Sequence, residues 1–219
     1  MTMFKQMLDQ LMAGAQSATT AITKDGLKNP MVAGVGGVLA GLLLSNKNGL
    51  KIGSVAALGA IAFNAFRKWQ TNNIQSADVN VSQQPKQQGV ADFNALPPSS
   101  QEEHSRVILT AMVAAAKADG NFDEREQQLI HEQVVKFGDP DLATWVQQEI
   151  NKPLDVNEIT SLVTTPEMAA EIYLTSLVVV DEQNESEKTY LDTLAEKLGL
   201  DPQLRKEIEQ QLATANASK

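Results

Sequence analysis

Two acid-rich turns carry the side chains best suited to chemistry. The first is Ala116-Lys117-Ala118-Asp119-Gly120-Asn121-Phe122-Asp123-Glu124-Arg125-Glu126, the second Val178-Val179-Val180-Asp181-Glu182-Gln183-Asn184-Glu185-Ser186-Glu187. In each, an apolar run ends at an Asp, a short turn follows, and a helix opens with Glu at its third position. They read as an internal pair. Hard cations such as Ca²⁺ take six to eight oxygen ligands, several of them carboxylates, and two such turns brought together would converge five or more carboxylates. Asp119-x-Asn121-x-Asp123 also opens like a calcium loop, but Glu124 stands where that loop needs Gly, and Ile130 where it needs the closing Glu. It is not an EF-hand. The same acids have a structural use, because Asp123 with Glu126 and Asn184 with Glu187 have capping-box spacing, and acids favour helix N-termini.

Those turns must be held by helices, and the sequence punctuates them clearly. Capping-box spacing recurs at Ser100/Glu103 and Asp155/Glu158. Asp139-Pro140, Thr165-Pro166 and Asp201-Pro202 each pair an N-cap residue with Pro at the first helical position. Gly138 and Gly199 stand where helix ends favour a left-handed residue. The spacing predicts helices near 101–118, 124–137, 140–150, 156–163, 166–180, 185–198 and 202–213. Val107, Ile108, Met112, Val113 and Ala116 face one way in the first, and Leu129, Ile130, Val134 and Phe137 in the second. Ile172, Leu174, Leu177, Val178 and Val180 make the fifth nearly apolar all round, which predicts a central helix. No strand pattern competes, so residues 100–219 read as an acidic all-α domain with one core.

AAAKADGNFDEREQQLI at 114–130 and VDEQNESEKTYLDTLAEKLGL at 180–200 resemble the tellurite-resistance TerB-like domain. With the glycine-rich segment upstream, the whole chain resembles the YebE-like family of inner-membrane proteins. The resemblance implies a compact seven-helix domain whose carboxylates cluster around a divalent cation, Ca²⁺ or Mg²⁺. On the matching positions its ligands would be Asp119, Asp123, Glu126, Asp181 and Glu187. The second copy departs from the first at Glu182, which stands where the first has Gly120.

The segment 29–69 is the anomaly in a chain of mean hydropathy −0.21. Met31–Leu44 and Ile52–Phe66 contain no Asp, Glu, Lys or Arg and flank the polar turn Ser45-Asn46-Lys47-Asn48-Gly49. Small residues recur at helical spacing (Ala33, Gly37, Gly41; Gly53, Ala57), as in helices that pair closely in lipid. Each run would span about 21–23 Å as a helix, short of a hydrocarbon core of about 30 Å. Snorkelling lysines, thinning or shallow insertion would cover the difference. We read it as a glycine-rich membrane hairpin. Lys5, Lys24, Lys28, Arg67, Lys68 and Lys86 outside it, against Lys47 and Lys51 in its turn, place both termini in the cytoplasm.

Residues 1–28 form an amphipathic segment, with Met3, Phe4, Met7, Leu8, Leu11 and Met12 at helical spacing. Residues 70–99, rich in Gln, Asn, Ser and Pro, have the composition of a flexible, disordered linker. That predicts a tethered rather than docked domain. Residues 1–100 are net +4 and 101–219 net −13. The basic half suits anionic lipid, whereas the acidic half argues against nucleic acid and favours cations or basic partners. There is no cysteine, and His104 and His131 alone cannot build a zinc site. Both histidines read as surface residues, Trp145, Tyr173 and Tyr190 as core, and Trp69 as an interfacial anchor. No phosphate loop, nucleophile elbow or His–carboxylate spacing indicates catalysis.

The expectation is a non-enzymatic, membrane-anchored protein with an interaction or cation-responsive helical module, its partners lipid, a protein, or a second copy through the hairpin. The rivals are a soluble scaffold that packs the apolar segment internally and a metal-dependent hydrolase using the clustered carboxylates.

Overall fold

The computed structural model of the chain describes residues 4–6, 55–75, 97–118, 127–128, 140–180 and 185–217. The described residues are all-helical: α1 (Val55–Gln75), α2 (Pro98–Ala116), α3 (Pro140–Asn151), α4 (Val156–Ser161), α5 (Pro166–Val179), α6 (Glu185–Lys197) and α7 (Pro202–Ala217). Residues 4–6 and 127–128 are also helical in backbone.

Local chemistry sets most of the boundaries. Asp155 caps α4 by accepting from the backbone N–H of Asn157 at 2.8 Å, and Thr165 caps α5 through Met168 N–H at 3.1 Å. Asp201 caps α7 through Gln203 N–H at 2.7 Å. Gly199, at φ 63°, ends α6. There the Leu200 N–H returns to the Ala195 carbonyl and the Gly199 N–H to that of Glu196, both at 3.0 Å, a Schellman closure. The Ser100/Glu103 box does not start α2. Pro98 takes the first helical position, Pro97 is extended before it at ψ 147°, and Ser100 falls inside the first turn.

Helix α5 is the centre, as its apolar sequence predicts. Ten of its residues, from Ala169 to Val178, are buried, and α1, α2, α6 and α7 pack around it. Two of its polar members are paired inward: Ser176 Oγ meets the Tyr190 hydroxyl at 3.1 Å, and the Tyr173 hydroxyl donates to Glu209 Oε1 at 3.0 Å, while the buried Thr175 hydroxyl has no partner among the described residues. Trp145 is in the core as expected. The Phe4 ring meets it edge-on at 4.7 Å, while the Phe4 and Lys5 N–H groups donate to the two oxygens of Glu102, at 2.9 and 3.1 Å.

Helix α1, which holds most of the second apolar run, is docked on the domain rather than set apart from it. It packs against α5 and α7, with Ala62, Ala65 and Phe66 buried. Lys68 pairs with Glu207 at 2.8 Å. Trp69, expected at a lipid interface, donates from Nε1 to Asp201 Oδ1 at 3.1 Å and stacks at a tilt on Phe66. Gly59, Ala62 and Ala65 are small enough to let α1 lie close on the domain, with Gly59 facing Glu171 of α5. No helix among the described residues is long and apolar enough to cross a membrane. Residues 31–44 and most of the expected linker, 76–96, lie outside the described residues.

Candidate functional site

Where α1, α2 and α5 meet they leave a cavity of about 420 Å³. Helix α1 contributes Gly59, Ala62 and Phe63, and α2 contributes Ser100, Glu103, His104 and Val107. The loop before α5 adds Leu162, Thr164 and Thr165, and α5 adds Glu167, Met168 and Glu171. The volume is that of a small-molecule site rather than a packing defect, for such sites run about 300–1,000 Å³.

Glu171 is the decisive side chain. It sits in the most apolar of the described helices and is 9% exposed. Its Oε2 lies 2.7 Å from Nε2 of His104, the geometry of a ring N–H donating to an acceptor-only carboxylate. Its Oε1 receives no hydrogen bond from the described residues and faces α1 at Gly59, where a Cβ would stand 3.4 Å from it. A side chain there would touch the oxygen at van der Waals distance, so glycine leaves that face of it uncovered. Glu103 and Glu167 also line the cavity, and among the described residues no Lys or Arg does.

His104 is thus half-buried and paired, not a surface residue as its sequence context predicts. Glu171 was not among the residues the sequence singled out. The signal was present as a lone charge amid Ala169-Ala170-x-Ile172-Tyr173-Leu174, a position that only a partner or a ligand makes tolerable.

Of the five carboxylates expected at a cation site, Asp119, Asp123, Glu126 and Asp181 lie outside the described residues. Glu187 is described: it is buried, 8% exposed, at the third position of α6. Among the described residues no group of three His, Cys, Asp or Glu is placed to hold a metal ion.

A second acid–base cluster, around the buried Glu149, has little space beside it. Lys152 Nζ lies 2.7 Å from Glu149 Oε1 and 2.7 Å from Glu158 Oε1, and Lys117 donates to the backbone carbonyls of Glu149 and Lys152. Burial pulls the Lys117 ammonium below the ordinary lysine pKa, with Glu149 and Glu158 opposing. Hydrogen bonds to Glu149 and Glu158 raise that of Lys152.

The chain belongs to the family described as "Protein of unknown function (DUF533)", which it matches over residues 26–212, a span that takes in the glycine-rich run together with the helical domain. The "Uncharacterized protein in ampR 5'region" of Yersinia enterocolitica is 31% identical over 106 residues, 48% of this chain and 76% of that protein. No solved structure matches the chain.

Proposed function

We propose that this DUF533-family protein is a non-enzymatic binding module that takes a ligand into the α1/α2/α5 cavity while the apolar run ahead of α1 holds it at a membrane. The open Oε1 of Glu171 carries the first half: a carboxylate oxygen of a buried residue, facing a cavity and receiving no donor from the described residues, is placed to receive one from a bound ligand. Catalysis is not favoured. Ser100, His104 and Glu171 are types that can form a nucleophilic relay, but Ser100 makes no hydrogen bond to His104, and that contact defines an activated nucleophile. The membrane half now rests on Met31–Leu44, which has no charged residue, and on the lysine bias around it. A run of that length would be about 21 Å as a helix, which suits shallow insertion better than a span, with the basic half toward anionic lipid of a bacterial inner membrane.

Thermal melts of the full-length protein against a panel of small organic ligands test the cavity. At least one class should raise the melting temperature, and Thr164→Trp, which plugs the exposed rim, should abolish that rise without lowering the protein's own melting point. Retention of the protein in carbonate-washed membranes tests the anchor, and release into the wash would leave the soluble scaffold.

The TerB-like resemblance at 114–130 and 180–200, with Glu187 buried at the head of α6, supports a second reading. In it Asp119, Asp123, Glu126, Asp181 and Glu187 hold Ca²⁺ or Mg²⁺. Calorimetric titration with each ion checks it, and no heat from either leaves those acids as helix caps.

A further inference from the structure

We infer, building on the cavity as a binding site, that its ligand is an organic cation: an ammonium group on an apolar body. Charge points first to the sign. Among the described residues, Glu103, Glu167 and Glu171 line the space with His104 and without Lys or Arg, so an anion would meet like charge there. The open Oε1 of Glu171, inside a residue only 9% exposed, wants an N–H donor, and an ammonium supplies the short, charge-assisted kind.

Size and wall chemistry then separate an organic cation from a metal ion. No three liganding side chains among the described residues converge as a metal needs. The cavity, at about 420 Å³, has room for about a dozen waters at roughly 30 Å³ each. Ala62, Phe63, Val107, Leu162 and Met168 supply apolar wall around it. A bare ion would leave that wall wet, whereas an alkyl or aryl body covers it. Gly59 sets the depth. Its missing side chain keeps the approach to Oε1 open, since a Cβ there would lie 3.4 Å from that oxygen.

Calorimetric titration of the full-length protein with phenethylamine, 2-phenylethanol, 3-phenylpropionate and Mg²⁺ tests the assignment. Phenethylamine is expected to bind one to one, at least tenfold tighter than the neutral and anionic analogues. Glu171→Gln should weaken it at least tenfold. Gly59→Ala should weaken it severalfold while leaving the melting temperature unchanged or higher, because alanine favours the helix; a residue with only a structural role would not split the two readouts that way. This second variant keeps the test decisive should Glu171→Gln fold poorly.

Equal binding of 3-phenylpropionate, amine affinity unchanged in Glu171→Gln, or amine binding that survives Thr164→Trp would each overturn the assignment. An anionic or neutral ligand displaced by Thr164→Trp would leave the binding module standing and remove only the cation. Absence of binding by every panel member would remove both.

Discussion

Glu149 and Glu171 are the same residue in similar burial, at 6% and 9% exposed, and the fold treats them differently. Glu149 is closed off by its own neighbourhood. Lys152 bridges it to Glu158, Lys117 caps the carbonyls beside it, and the space alongside is about 20 Å³, enough for about one water. Glu171 has one oxygen on His104 and the other on a cavity about twenty times larger. A buried carboxylate paired with a lysine is finished structure. One with a cavity and a glycine beside its second oxygen remains able to receive something. Burial alone therefore does not distinguish the two: each has one bonded oxygen, Glu149 through Lys152 and Glu171 through His104, and what differs is the space beside the other.

The largest expected effect breaks the closed member. Glu149→Ala removes the carboxylate that receives Lys152 and offsets the burial of the Lys117 ammonium, and should lower stability in urea by about 1–3 kcal/mol, the range for leaving a partly buried polar group without its partner. Next, Thr165→Ala removes the cap that starts α5 at the rim of the cavity, at about 1 kcal/mol, read in the same melts. Glu207 offers a third carboxylate for the contrast. Burial disfavours its charge, but hydrogen bonds from Gln211 and Lys68 outweigh that and hold its pKa below the ordinary 4.5. Its contribution is therefore complete above the unfolded pKa and is lost as pH falls through the lower, folded value. Acid titration of Trp69 fluorescence should show α1 loosening in that window, and Glu207→Gln should erase the step. The smallest effect is the sharpest. Glu171→Gln keeps an acceptor for His104 and should change stability by no more than about 0.5 kcal/mol, so a loss of several kcal/mol would place Glu171 with Glu149 as scaffold.

The helix starts at Val156, Pro166 and Pro202 were legible because Asp155, Thr165 and Asp201 act on the very next turn, and the core of α5 because its apolar run has no polar stripe. What was not legible depends on partners far along the chain. The uncharged run 52–66 serves equally for lipid or for a tightly packed helix interface, since small residues allow close approach in both settings; only Glu207 and Asp201, receiving Lys68 and Trp69, decide for the domain. His104 looked superficial because its partner lies 67 positions away. Glu171 was visible as an oddity without being read as a site. The Ser100/Glu103 box was outcompeted by Pro98, whose fixed φ begins the helix earlier.

The Oδ1 atom of Asp201 has two duties, starting α7 through Gln203 and receiving the Trp69 indole. Fraying at the head of α7 must release α1, and lifting α1 must weaken the head of α7. Helices α1 and α7 consequently share one melting unit, and a probe on either should report the same transition.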